Sequence, residues 1–170
     1  EIEDDIKNVL QNHSIRAKEK NIAINHSFHY PKTKGEIPFV VVDKLRFLHS
    51  IENIIENAID YTLPGGRIDF LMEVTKNDLF ITISDTGIGI GEKDKNNIFS
   101  EFFRSHKARE LKSVGSGIGL FLIKLIIEAH DGKVWFDSIE NKGTNFYVKV
   151  PLRQKPVKPN EKLEVFLKNI

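Results

Sequence analysis

The sequence predicts an α+β fold, a two-layer sandwich in which helices cover one face of a mixed sheet. Segments that alternate apolar and polar residues come in pairs joined by short turns, as the strands of hairpins do. Segments with helical spacing of apolar residues fall between these hairpins and not after every strand, so a doubly wound parallel sheet is not expected. The length of 170 residues suits one compact domain.

Composition narrows the classes of function. The net charge of +1 argues against a dedicated nucleic-acid-binding protein, and the longest apolar run, residues 121–127, is too short to cross a bilayer. The chain has no cysteine, which excludes disulfides and thiolate metal sites. We therefore expect no nucleic-acid partner and no membrane contact, and the first residue, Glu1, suggests a fragment of a larger protein.

The first part of the chain predicts two helices and two strands. Residues 3–19 have the apolar spacing of an amphipathic helix, and residues 21–28 alternate as a strand does. A short apolar strand follows at residues 39–42. Asp43 is then an N-cap candidate for a long helix that ends near Tyr61.

The rest of the chain predicts two hairpins with a helix between them. Residues 67–75 pair with residues 78–84, and residues 133–138 pair with residues 144–150 across a turn that ends in glycine. Residues 121–130 form the intervening helix.

Three further segments complete the chain. Residues 93–103 have helical character, whereas residues 104–114 are polar and basic without periodicity, which predicts a mobile segment. We assign residues 1–151 to the domain and residues 152–170 to a tail, in which residues 161–167 form a short helix.

A glycine run, Gly115-Ser-Gly117-Ile-Gly119, directly precedes the helix at 121–130. Glycines at every second position leave backbone N–H groups open at the positive end of a helix dipole, which favours a phosphate site. The alternative is a tight turn.

Two asparagines, Asn53 and Asn57, lie four residues apart on the long helix and share a face. A neutral amide oxygen is a suitable ligand for Mg²⁺, and surface amides or a local cap are the alternative. Asp85 ends a strand and precedes Gly87 and Gly89. Its acceptor-only carboxylate suits an exocyclic amine such as that of adenine, and a turn aspartate is the alternative.

Four ordered segments resemble the motifs of sensor histidine kinases. Residues 53–66 resemble the N box, residues 85–89 the first glycine box, residues 98–104 the F box, and residues 115–120 the second glycine box. The resemblance covers roughly residues 5–151.

The resemblance implies the Bergerat ATP-binding fold, with a mobile ATP lid at residues 104–114, which we call the lid. It implies ATP and Mg²⁺ as cofactors, with Asn57 ligating the metal and Asn53 as a second candidate ligand. Asp85 would bind the adenine amine with support from Thr144. The other implied site residues are Tyr61 in the pocket wall, Arg104 at the terminal phosphate, and Gly87, Gly89, Gly115, Gly117, Gly119 and Leu120 around the nucleotide.

Two positions carry further expectations from the resemblance. Asn53 stands where hydrolysing relatives typically have a glutamate base, so slow ATP hydrolysis is implied, and helix geometry places Glu56 off the phosphate direction. Asp60 stands where these kinases usually have a lysine that neutralises the triphosphate. Either the lid cations, among them Lys107, Arg109 and Lys112, take over, or nucleotide affinity is low.

The aromatic residues of the third motif, Phe99 and Phe102, are expected to anchor the base of the lid by burial. None of the six histidines has the sequence context of the phosphate acceptor, and His130 is expected to pack or cap a helix. The resemblance therefore implies the catalytic half of a kinase, located in the cytoplasm, whether or not the parent protein is bound to a membrane. Its partners would be a histidine-bearing dimerisation domain of the same protein and a response regulator receiver domain.

Two other functions remain open at this point. A serine kinase of the anti-sigma type shares the fold, and phosphoserine in its partner would identify it. A nucleotide-binding regulatory module without catalysis is the second alternative, and Asp60 is the feature that favours it.

Overall fold

The computed structural model of the protein describes residues 2–31, 40–152 and 161–168. Five strands form one sheet in the order β1-β2-β3-β5-β4, where β1 pairs with β2 in parallel and the other neighbours are antiparallel. The mixed sheet predicted from the sequence is confirmed. The strands are β1 (Ala23–His29), β2 (Arg67–Val74), β3 (Asp78–Asp85), β4 (Lys133–Ile139) and β5 (Gly143–Pro151).

The long helices pack on one face of this sheet, which confirms the two-layer arrangement, and the core lies between the layers. Within the described ranges, no helix is long and apolar enough to cross a membrane. The helices are α1 (Ile2–Glu19), α2 (Lys44–Tyr61), α3 (Glu92–Lys95), α4 (His106–Leu111), α5 (Gly119–Ala129) and α6 (Glu161–Lys168).

Helix α2 is the central helix of the helical layer, and its N-cap is Asp43, as predicted. The side chain of Asp43 accepts a hydrogen bond from the Arg46 N–H at 3.1 Å, which satisfies one of the donors that the first turn leaves open. Its apolar residues recur at helical spacing and form a continuous buried stripe. The stripe consists of Phe47, Ile51, Ile54, Ile55, Ala58 and Ile59.

The two predicted hairpins supply the other half of the core. Residues of β2 and β3 alternate between buried and partly exposed positions, so every second side chain faces α2. The buried set includes Ile68, Phe70, Met72, Leu79, Ile81 and Ile83.

The predicted strand at residues 39–42 is not a strand in its described part. Residues 40–42 are extended but pair with no strand among the described residues, and Phe39 lies outside them. The side chains of Val40 and Val42 pack against the core. Burial of these valines, not ladder pairing, therefore accounts for the apolar run.

The predictions for residues 93–114 were also wrong in part. Helix α3 ends at Lys95, and turns follow where a helix to residue 103 was expected. Phe102 has a φ of +60°, which no right-handed helix contains. The lid, predicted to be irregular, contains α4, because the Ser105 hydroxyl accepts from the Ala108 N–H at 3.2 Å and caps its first turn.

Helix α6 confirms the short helix predicted near the C-terminal end, and it packs against α5. Leu163 is buried in a small apolar cluster with Leu125, and the ring of Phe166 meets that of Phe121 edge to face at a centroid distance of 5.4 Å.

The cap of α2 provides a test of this description. We expect Asp43→Ala to lower the free energy of unfolding by about 0.5–2 kcal/mol, since the Arg46 N–H loses its acceptor. Urea denaturation measures the change. Asp43→Ser is the control because it retains a side-chain oxygen acceptor, and equal stability of both variants would show that the cap contributes nothing.

Candidate functional site

A cavity of about 230 Å³ opens between α2, the glycine loop that follows β3, the lid and the start of α5. Every candidate site residue predicted from the sequence lines it, with the exception of Gly87. These residues are Asn53, Asn57, Tyr61, Asp85, Gly89, Arg104, Gly115, Gly117, Gly119, Leu120 and Thr144.

Helix α2 forms one wall through Asn53, Asn57 and Tyr61, whose spacing of four residues places them on one face. The Asn53 amide nitrogen donates to the His49 carbonyl at 2.8 Å, which leaves its oxygen available. Among the described residues, nothing hydrogen-bonds the Asn57 side chain. Glu56 also lines the cavity, although helix geometry placed it off the phosphate direction.

Asp85 lies at the end of β3, with its carboxylate in the cavity wall. Burial raises the pKa of Asp85 from its ordinary 3.8 to about 6, while the backbone N–H groups of Gly87 and Thr144 oppose that rise. The Gly87 N–H donates to Oδ1 at 2.8 Å. The two backbone donors therefore do not compensate for the burial of the carboxylate, which is well placed to accept a further hydrogen bond from a ligand.

Gly87, which the resemblance places around the nucleotide, is not among the residues that line the cavity. A Cβ at this position would lie 2.4 Å from the Tyr61 carbonyl oxygen. The same carbonyl accepts from the Ile88 N–H at 3.0 Å. Glycine is needed here because the loop packs directly beneath the end of α2.

Thr144 supports the site through its backbone, because its N–H donates a hydrogen bond to the Asp85 carboxylate. Its hydroxyl lies 2.9 Å from the Ser138 hydroxyl. Ser138 also donates to the Gly143 carbonyl at 2.9 Å and accepts from the Ile90 N–H at 2.8 Å. Ser138 thus ties the second hairpin to the glycine loop. The sequence analysis missed Ser138, although the predicted second hairpin contained the signal, because its register places Ser138 opposite Thr144.

The start of α5 forms the opposite end of the cavity. The N-cap residue of this helix, Ile118, forms no side-chain cap, and the Ser116 hydroxyl accepts from the Ile118 N–H at 3.3 Å. The first residue of the helix, Gly119, lies beside Asn53, because a Cβ there would be 3.5 Å from Asn53 Oδ1. Gly117 has a φ of +71°, and a Cβ there would lie 2.7 Å from the Phe102 carbonyl carbon. The first N–H groups of α5 are therefore open to an anion in the cavity.

Arg104 lies at the start of the lid and lines the cavity. Its guanidinium donates to the carbonyl oxygens of Ser113 at 3.1 Å, Gly115 at 3.2 Å and Ala108 at 3.3 Å, and also to that of Lys112. Arg104 therefore holds the lid backbone together in this structure.

Asp60 does not line the cavity, and its carboxylate is neutralised by two cations. This corrects the expectation of a free negative charge beside the phosphates. Its side chain is 4% exposed and is paired with Arg16 of α1 and with Lys112 of the lid, whose Nζ lies 2.6 Å from Oδ2. Lys20 adds a third cation nearby, as its Nζ donates to the Asp60 carbonyl at 3.1 Å. Lys112 itself lines the cavity.

The aromatic residues of the third motif behave differently from one another. Phe99 packs on the core, and its ring meets that of Phe136 edge to face at 5.9 Å. Phe102 is 63% exposed, which contradicts the expected burial. Its left-handed backbone turns the side chain outward, and Phe103 lines the cavity instead.

The histidines are not part of the cavity lining. All six are in the described ranges and none of them lines it. His130 is buried between α5 and α2, where Nδ1 lies 2.7 Å from the Ile126 carbonyl and Nε2 accepts from the Asp43 N–H at 2.8 Å. The prediction of a packed, capping histidine is confirmed.

Comparison with known proteins gives three findings. The sequence model of the family described as "Histidine kinase-, DNA gyrase B-, and HSP90-like ATPase" matches residues 42–154. The sensor histidine kinase WalK of Bacillus subtilis (strain 168) is 38% identical over 118 residues, which are 68% of this chain and 19% of WalK. The chain thus spans about a fifth of the length of that curated relative.

Solved structures agree with the sequence matches. The nucleotide-free catalytic domain of histidine kinase ThkA is 26% identical, with a TM-score of 0.71, and the match covers 92% of this chain and 95% of that domain. ThkA in complex with the response regulator protein TrrA is 25% identical, with a TM-score of 0.68, over 89% of this chain and 40% of that one.

Because the carboxylate of Asp85 is buried, we expect its removal to increase the free energy of unfolding. Since the folded pKa of about 6 exceeds the ordinary 3.8, the folded state binds more protons between these values, and stability falls as pH rises through this window. We expect Asp85→Asn to raise the free energy of unfolding at pH 7 by about 1–3 kcal/mol.

The gain should be smaller at pH 4.5 than at pH 7, because Asp85 of the unaltered protein is already largely protonated there in the folded state. Urea denaturation at both pH values measures it. Glu101→Gln, which removes an exposed carboxylate, is the matched control. A loss of stability at pH 7 in Asp85→Asn would contradict the assignment.

Proposed function

Because the chain belongs to the family of histidine kinase-, DNA gyrase B- and HSP90-like ATPases, we propose that it is the catalytic, ATP-binding domain of a two-component sensor histidine kinase. In this proposal the γ-phosphoryl group of Mg-ATP passes to a histidine on a separate dimerisation domain. One observation carries it: four segments far apart in sequence line a single cavity. The sequence relative and the solved structures reported above for this chain are histidine kinases.

The adenine is assigned to the Asp85 end of the cavity. Ile90, Ile98 and Phe146 give this region apolar walls that suit a flat ring. The buried carboxylate accepts from two backbone N–H groups, and an exocyclic amine would supply a further donor. Asp85 would therefore select adenine and orient it.

The phosphates are assigned to the start of α5. Gly117 and Gly119 line this end of the cavity, where the open N–H groups and the dipole of the helix favour negative charge. Arg104 and Lys112 add two side-chain cations on the lid side. Phosphoryl transfer depends mainly on positioning and on charge stabilisation, which is what this end of the cavity offers.

Magnesium is assigned to the asparagines of α2. The amide oxygen of Asn57 has no partner among the described residues, and the oxygen of Asn53 is a second donor, so hard oxygen ligands fit the ion at this wall. When bound, Mg²⁺ neutralises charge on the phosphate oxygens. Both amides are neutral, so they add no charge to this wall, which Glu56 also lines.

The acceptor is assigned to another domain, because none of the six histidines lines the cavity. Asn53 cannot take a proton from water, so hydrolysis would compete poorly with transfer. Glu56 also lines the cavity and is the carboxylate that could act as a base, so it enters the test below.

The proposed partners follow from the same reading. The structure of ThkA with TrrA supports a response regulator receiver domain as the downstream partner. Transfer to a histidine requires a dimerisation domain of the same protein as the immediate acceptor. We propose that the domain acts in the cytoplasm, where ATP and both proposed partners would be available to it.

Asn57 gives a direct test of the metal assignment. We expect Asn57→Ala to remove the magnesium dependence of ATP binding and to lower phosphoryl transfer on the order of 100-fold, because alanine offers no oxygen ligand. Calorimetric titration with and without Mg²⁺ measures binding. Asn77→Ala, which changes an exposed asparagine in the turn between β2 and β3, is the matched control. Full magnesium dependence in Asn57→Ala would rule the assignment out.

Transfer itself is tested with labelled ATP and a separate histidine-bearing helical hairpin. We expect the chain to label that hairpin on histidine, to leave its own histidines unlabelled, and to release inorganic phosphate slowly. Label on serine would indicate the serine kinase, and binding without any label would indicate the regulatory module. Rapid phosphate release that Glu56→Gln abolishes would identify an ATPase with Glu56 as its base.

A further inference from the structure

The lid is fixed to the body of the protein at both ends of α4. At its start, the Lys107 Nζ lies 2.6 Å from Glu140 Oε1 and 3.0 Å from Asn141 Oδ1, in the turn between β4 and β5. At its end, Lys112 pairs with Asp60 of α2. Helix α4 thus lies between two ion pairs, and its Ala108 lines the cavity.

These two ion pairs differ in their partners. Glu140 is exposed, so water screens its attraction for Lys107. Asp60 is a carboxylate with a 4% exposed side chain, and it is paired with Arg16 as well as with Lys112. A buried carboxylate that loses its only cation is strongly destabilised, but Asp60 retains Arg16 when Lys112 leaves. Asp60 can therefore release Lys112 without becoming unpaired.

Lys112 is placed for such a release. Its side chain is 42% exposed, and its residue lines the cavity beside Arg104 and Ala108. A triphosphate in the cavity carries several negative charges where Asp60 carries one, so it competes for the same ammonium group at short range. Lys112 can thus pair with Asp60, which is always present, or with the phosphates of a bound nucleotide.

We propose that Asp60 is a positioning residue that latches the lid through Lys112 in the absence of nucleotide, and that the phosphates of ATP displace Asp60 as the partner of Lys112. This inference rests on the proposed function, because it takes a nucleotide polyphosphate as the competitor. The ion pair of Asp60 with Lys112 can be tested in the nucleotide-free protein, separately from ATP binding. Asp60 then opposes ATP binding by holding Lys112 and not by repelling the phosphates.

The test uses Asp60→Asn, Lys112→Gln and the double variant. In Asp60→Asn, ATP binding no longer requires that an ion pair be broken, so affinity should rise about two- to fivefold, the range of a partly exposed ion pair. In the Lys112→Gln background, Asp60→Asn should leave the affinity unchanged. Asp69→Asn, which breaks an exposed ion pair with Arg67 outside the cavity, is the control for the change in net charge.

The double variant separates the two explanations. If Asp60 acted by repelling phosphates through space, the gain from Asp60→Asn would persist or grow when Lys112 is removed, and that result would overturn the proposal. An unchanged affinity in Asp60→Asn alone would overturn it as well.

Hydrogen exchange of the nucleotide-free protein supplies the second measurement. Both Asp60→Asn and Lys112→Gln should speed exchange of the α4 amides, while Asp69→Asn should not. Unchanged α4 exchange in both variants would overturn the latch even if ATP binds normally. Failure of the unaltered protein to bind ATP would overturn the proposed function, and the exchange data would still decide the latch.

Discussion

The rotational setting of α2 on the sheet is the constraint on which the rest of the site depends. One face of this helix is buried against β2 and β3 through its apolar stripe, and this burial leaves no freedom to turn the helix about its axis. The adjacent face then presents Asn53, Asn57 and Tyr61 to the cavity. A third direction carries Asp60 toward α1 and the lid. Packing of the core therefore fixes the positions of the polar residues that the proposed chemistry uses.

The site is built at a cost to stability. Asp85 lies at the end of a central strand, where burial raises the pKa of its carboxyl to about 6, and the N–H groups of Gly87 and Thr144 only partly offset this. A neutral residue would suit the unliganded fold better. A ligand that supplies a further donor would compensate for the burial that the two N–H groups do not offset, and this is the physical link between the fold and the adenine assignment.

The lid is held by different forces from the core. The sheet and the long helices are joined by buried apolar side chains, whereas α4 contains no buried residue. It is held by ion pairs at Lys107 and Lys112, and by the carbonyl oxygens that the Arg104 guanidinium gathers. Such contacts are weaker and salt-sensitive. A segment fixed in this way can exchange partners when a polyanion arrives, which a packed helix cannot do.

The sequence by itself determined the elements whose signals are local. The N-cap at Asp43, the apolar stripe of α2 and the alternation of the two hairpins predicted the layers, and the spacing of Asn53, Asn57 and Asp85 in ordered motifs predicted most of the cavity wall. The tertiary structure alone decided how Asp60 is neutralised, since Arg16 and Lys112 lie 44 and 52 residues away in the chain. Periodicity and turn chemistry report on neighbours within a few residues, and they carry no information about which distant charges meet. The same limit explains Phe102, whose outward direction follows from a left-handed backbone that no spacing pattern contains.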